Sequence, residues 1–143
     1  MKVLIDTNII IDFFCRRDSF FDDAKIVFEH CFTDADGVIA GHTISNLFYI
    51  LWHRYDFTLE QCRNKIRNLC ILFDVADINK KTILKALDNE DFTDLEDSMQ
   101  NECAVSSGVD YIVTRNGADF KSGKIPAVTP KEFIEIVRKR PRQ

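Results

Sequence analysis

The residues that could do chemistry begin at Asp6. The apolar run Val3-Leu4-Ile5 ends on this carboxylate, Thr7 and Asn8 follow at once, and a second apolar run starts without a spacer. Such a run reads as a short buried strand delivering an acid to the carboxyl edge of an open sheet, where α/β folds build their sites. Two further groups belong at the same edge. Asp94 and Asp97 are three apart near a helix start, a spacing that puts them on one face. Asn116 and Asp119 follow the strand-like stretch Tyr111 to Thr114. Packed carboxylates repel unless a cation or protons neutralise them. Carboxylate and water oxygens suit hard ions such as Mg2+ or Mn2+, and a water held by such an ion can attack a phosphodiester. Zinc is not indicated, because His30, His42, His53 and the cysteines lack ligand spacing.

Each acid also has a plainer explanation. Acids in the first turn of a helix complement its dipole, which alone accounts for Asp94, Glu96 and Asp97. Asp119, before Phe120, reads equally as a turn residue, and Asp12 and the pair Asp22-Asp23 read as solvated surface. Asp6 is harder to dismiss. A carboxylate closing a buried run needs partners, and the Thr7 and Asn8 side chains could supply them.

The elements that must position these groups alternate along the chain. Strands are expected at residues 2–6, 38–40, 72–75, 111–114 and 127–128, with Asp36-Gly37 as a turn. Helices are expected at 7–15, 19–32, 43–55, from Thr58 to about Asn68, from Asn79 to about Leu87, from Thr93 to about Ser107, and at 130–139. Thr58…Gln61, Thr93…Glu96 and Thr129…Glu132 match capping boxes, with Pro130 at the first helical position and Gly108 as a helix stop. Alternation of this kind implies an α/β fold, a parallel sheet with helices on both faces.

Length and composition bound the rest. A chain of 143 residues with 45% apolar content suits one domain, 1–143, with a core of its own, to which twelve Phe contribute. The net charge of -4 means that a polyanion must be met by a local basic patch, for which the tail at about 138–143 (Arg138, Lys139, Arg140, Arg142) is a candidate. Five widely spaced cysteines without a C-x-x-C pair, and an opening without a signal-peptide pattern, fit reduced thiols in a cytoplasm. No apolar run reaches membrane-spanning length. The helix at 43–55 carries Phe48, Tyr49, Trp52 and Tyr55 on more than one face, so it is either core or a partner surface.

The segments LIDTNIIIDFF, FTDLEDSMQ and IVTRNGADF, through the closing IPAVTPKEF, resemble the PIN-domain family in its order and over nearly the whole chain. The resemblance implies a three-layer α/β/α sandwich around a central parallel sheet of about five strands. It implies a Mg2+- or Mn2+-dependent RNA endonuclease and, as in VapC-like toxins, an antitoxin protein as partner and a homodimer. Asp6 matches the family's first acid, with Thr7 and Asn8 as its companions, Asp97 the third and Asp119 the last. Asp94 is an additional acid. Asp6, Asp97 and Asp119 are the expected metal ligands. Thr7, Asn8, Asn46, Thr114, Arg115 and Asn116 are expected to position ligands or water, or to touch phosphate.

The chain departs from the family at two positions. Asn46 falls where the second acid is expected, and Asn116 where the fourth often is. An Asn can ligate through its carbonyl oxygen but brings no charge. The alternative is therefore a non-catalytic module that binds RNA or a protein. A dehalogenase-like phosphatase, which also starts from an acid after its first strand, needs D-x-D, and the second position here is Asn8.

Overall fold

A computed structural model describes residues 1–141. Arg142 of the expected basic tail lies outside the described residues. The order is β1 (Lys2–Ile5), α1 (Thr7–Phe14), α2 (Phe21–Thr33), β2 (Asp36–Ala40), α3 (Gly41–Arg54), α4 (Leu59–Leu72), β3 (Asp74–Ala76), α5 (Lys80–Asp88), α6 (Leu95–Ser107), β4 (Tyr111–Val113), β5 (Ala127–Val128) and α7 (Pro130–Lys139). The strands form one sheet in the order β3-β2-β1-β4-β5, every neighbouring pair parallel. The expected parallel sheet of about five strands is thus found.

Strand side chains alternate between two faces, and β1 shows what that does. Val3 and Ile5 enter one core with Ile39, Val113 and residues of α1, α2, α3, α4 and α7. Leu4 enters the other with Val38, Ala40, Ile112 and Cys103 and Ala104 of α6. The three layers follow from this split. No helix among the described residues is long and apolar enough to cross a membrane. All five cysteines are free, and burial pushes the Cys31 thiol up to about 12.

Local chemistry sets the helix starts. Thr58 and Thr129 close reciprocal capping boxes with Gln61 and Glu132, and Asn79 does so with Thr82. Gly108 ends α6 at φ 63, a left-handed cap that suits a residue without Cβ. Several boundaries differ from the expectations. Asp36-Gly37 is not a turn but the start of β2, because Asp36 pairs with Lys2 of β1. Helix α4 runs on to Leu72, which moves β3 to Asp74–Ala76. The cap of α6 is Asp94 and not Thr93. Asp94 Oδ1 accepts the backbone N–H of Asp97 at 3.0 Å, so the helix begins one residue later than expected. The surface of α3 is mixed: Leu47 and Leu51 are buried while Tyr49, Trp52 and Tyr55 are exposed.

Candidate functional site

The chain leaves β1 toward β2 and β3 on one side and returns as β4 on the other, so the sheet's crossover lies between β1 and β4. Ile5 is in register with Val113, and the backbone N–H of Asp6 donates to the Val113 carbonyl at 3.0 Å. Asp6 therefore stands beside Thr114 at the carboxyl edge, where crevices form in such sheets.

Asp6 is 5% exposed, and both its oxygens are occupied. Gln100 Nε2 donates to Oδ1 at 2.9 Å, and the Thr114 hydroxyl donates to Oδ2 at 2.8 Å. These partners are not the Thr7 and Asn8 that local sequence suggested. Thr7 has entered α1, where its hydroxyl pairs with that of Thr43 at 3.1 Å; Asn8 is half-buried on the same turn. The Thr114 hydroxyl in turn accepts the backbone N–H of Asn116 at 3.0 Å.

The first turn of α6 faces this edge. Asp97 is half-buried and its carboxyl is pushed up to about 7, first by burial and then by the nearby charges of Asp94, Asp119, Asp6 and Glu96. Four acidic charges thus reach Asp97. Their roles differ, however. Asp94 is the exposed cap, its side chain turned back onto the start of α6 to accept the Asp97 N–H, and its charge is among those that raise Asp97. Asp119 is exposed in a 3-10 turn, Gly117–Phe120, with Asn116 exposed just before it.

Asn46 of α3 donates its Nδ2 to Oε1 of Glu96 at 3.0 Å. Burial raises the Glu96 pKa, the Asn46 hydrogen bond lowers it, and the charges of Asp94 and Asp6 raise it. Glu96 was expected to cap α6 with Thr93 and to complement its dipole; here it reaches Asn46 and feels the Asp6 charge.

Arg115 turns away from the acids. Its guanidinium forks onto Asp12, Nε to Oδ2 at 2.7 Å and Nη2 to Oδ1 at 3.2 Å, and lies 3.9 Å above the ring of Phe20. Asp12 is not solvated surface: it is 1% exposed and has Arg17 at 3.4 Å as a second cation. The sequence reading also missed Gln100, 2% exposed, and His42, a half-buried ring beside Glu96 whose pKa burial lowers. Gln100 lies three residues after Asp97, so helical spacing from that acid was the available signal.

The donor set is one of carboxylate and amide oxygens, which suits a hard divalent cation. A carboxyl raised to about 7, first by burial and then by neighbouring acids, would gain from such a charge. Among the described residues, no three His, Cys, Asp or Glu side chains form a ready cage.

A model of the PIN domain matches residues 2–118, ending one residue before Asp119. No curated protein sequence matches the chain. A chain of a toxin–antitoxin complex from Klebsiella pneumoniae is similar in structure with a TM-score of 0.68 at 24% identity, over 90% of this chain and 97% of that one. VapBC-1 from nontypeable Haemophilus influenzae gives a TM-score of 0.69 at 19% identity, over 92% and 99%. VapC20 from Mycobacterium tuberculosis, a sarcin-ricin loop cleaving toxin, gives 0.63 at 11% identity, over 77% and 86%. At these identities the likeness speaks for the fold. With the family model spanning most of its length, the chain belongs to the PIN domain family.

Proposed function

We propose that this protein is a metal-dependent RNA endonuclease that hydrolyses phosphodiester bonds. The observation that carries the reading is the state of Asp6: a buried carboxylate fixed by Gln100 and Thr114 at the sheet crossover, its charge felt by Glu96 and, together with those of Asp119 and Glu96, by Asp97. Mg2+ or Mn2+ held by Asp6, Asp97 and Asp119 would supply an activated water and offset charge on the phosphate. Asp6 is the fixed point of that set. Asp97 and Asp119, half-buried and exposed, are the acids free to close on an ion. Asp94 caps α6 and sets where that helix, and with it Asp97, is placed. Thr114 and the Asn116 backbone hold the Asp6 carboxylate in orientation, and Thr7 with Thr43 ties α1 to α3 behind it.

The toxin–antitoxin complexes among the structural relatives support an antitoxin protein as partner. The exposed Tyr49, Trp52 and Tyr55 of α3 offer a surface on which a homodimer could close. The free cysteines agree with a reducing cytoplasm.

The test is RNA cleavage in Mg2+ or Mn2+ by the wild type, Asp6→Asn and Asp97→Asn, each verified as folded. Loss of cleavage in both variants is the expected result. Equal cleavage by all three would sink the assignment. A second reading, a non-catalytic module that binds RNA or a protein, draws on Asn46 and Asn116 and on the lack of a ready cage among the described residues. It calls for RNA or partner binding that survives Asp6→Asn, with no carboxylate-dependent cleavage.

A further inference from the structure

Asn46 removes a negative charge from the position on α3 where a second acid is expected, yet a carboxylate does stand there. Glu96, the second residue of α6, reaches across to α3, and its Oε1 accepts from Asn46 Nδ2 at 3.0 Å. Glu96 is half-buried and close enough to Asp6 for the two charges to interact. The pairing is chemically one-way. An amide at position 46 can donate to Glu96, whereas an acid there would repel it.

A second observation comes from the other side of Asp6. The Gln100 amide is almost fully buried and is fixed by its nitrogen on Asp6 Oδ1, while its oxygen is buried with no hydrogen-bond partner. Because one amide group carries both atoms, this orphaned acceptor lies beside the Asp6 carboxylate. A buried acceptor without a donor costs stability, and a cation next to Asp6 would relieve it.

We infer that Glu96 supplies the carboxylate that Asn46 lacks, and that Asn46 is a positioning residue aiming Glu96 at the ion held by Asp6 and Asp97. The carboxylate then comes from α6, and the amide on α3 holds it in place. This inference rests on the metal-site reading given above.

Calorimetric titration of the full chain with Mn2+ tests it without recourse to catalysis. Wild type should bind, and Asp6→Asn should not. Glu96→Gln keeps the side chain's size and should weaken Mn2+ at least about tenfold, with Asn46→Ala weakening it less. The double variant should be no weaker than Glu96→Gln alone, because Asn46 acts through Glu96. Circular dichroism melts in EDTA report folding, and Glu96→Ala serves if Glu96→Gln does not fold. No binding by wild type overturns the metal reading, and this inference with it. Binding that is lost in Asp6→Asn but unchanged in Glu96→Gln overturns this inference alone, and shows the Asn46–Glu96 bond to be a structural tie between helices. Additive losses in the double variant make Asn46 a ligand in its own right and overturn its positioning role.

Discussion

Thr114 donates its hydroxyl to Oδ2 of Asp6 at 2.8 Å although 108 residues separate the two. The bond exists because parallel pairing of β1 with β4 ends both strands at the same level. It orients a carboxylate that the backbone alone would leave free to rotate. The same hydroxyl takes the N–H of Asn116, so the loop carrying Asp119 is tied to Asp6 through one side chain.

Thr114→Val keeps the shape and removes that bond along with the one from the Asn116 N–H. Thr114 is fully buried, so Asp6 loses a donor that water cannot easily replace. A hydrogen bond to a charged group is worth roughly 1.5–3 kcal/mol. Urea melts should show a loss in that range, and Mn2+ affinity should fall as Asp6 loses its orientation. A variant as stable as wild type would mean that the bond contributes nothing.

The acid cluster should make the metal-free protein less stable as pH rises. Asp97 titrates near 7 in the folded chain against an ordinary value of 3.8, chiefly through burial and the charges of Asp94, Asp119, Asp6 and Glu96. Between those values the folded state holds a proton that the unfolded state has released. Stability from this group is therefore present below the lower value and lost as pH climbs through the upper one. Glu96, also raised, acts with the same sign. Urea midpoints in EDTA, taken stepwise from pH 4 to 8 for wild type and Asp97→Asn, isolate the group by difference. Wild type should lose stability relative to the variant across that window, and parallel curves would contradict the shift.

Asp6 and most of the fold were legible because their signals are local. An apolar run ending on an acid, and the boxes at Thr58 and Thr129, depend on residues within one turn or strand. Asp12 was misread because its burial is decided by Arg115, 103 residues away, and no local pattern records that pairing. The start of α6 was misread because Thr93 and Asp94 are both capping residues. In the observed register Ser98 is buried and its hydroxyl reaches the Ala86 carbonyl of α5 at 2.8 Å, a tertiary contact that the capping pattern does not encode. Gln100 escaped because a search for acids passes over an amide, although the amide is what holds Asp6.

Gly37→Ala should destabilise the fold without touching the acids. A Cβ on Gly37 would run into the ring of Phe73, which is itself buried and packs edge-on against Phe28 with centroids 5.3 Å apart. The ring has little room to yield, and overpacking of this kind costs about 1–3 kcal/mol. A thermal melt should show the loss while Mn2+ affinity, read on the folded variant, stays unchanged. A melt matching wild type would mean that Phe73 has room to move.

Arg115 should matter more to stability than to RNA. If it contacted phosphate, Arg115→Ala would weaken RNA binding and leave the melt unchanged, and Arg115→Lys would largely rescue it. The observed fork onto buried Asp12 argues otherwise. Removing Arg115 leaves a carboxylate that is 1% exposed with only Arg17 at 3.4 Å. Breaking a fully buried pair costs about 3–5 kcal/mol, and the partial exposure of Arg115 together with the remaining Arg17 should bring this loss to the lower end. Arg115→Lys should rescue poorly, because an ammonium cannot reproduce the two-point fork or the stack on Phe20. Asp12→Ala in the Arg115→Ala background should add little, since the orphaned charge is then gone. Urea melts of the two single variants and the double variant give the coupling directly, and additive losses would mean that the pair is not the unit it is drawn as.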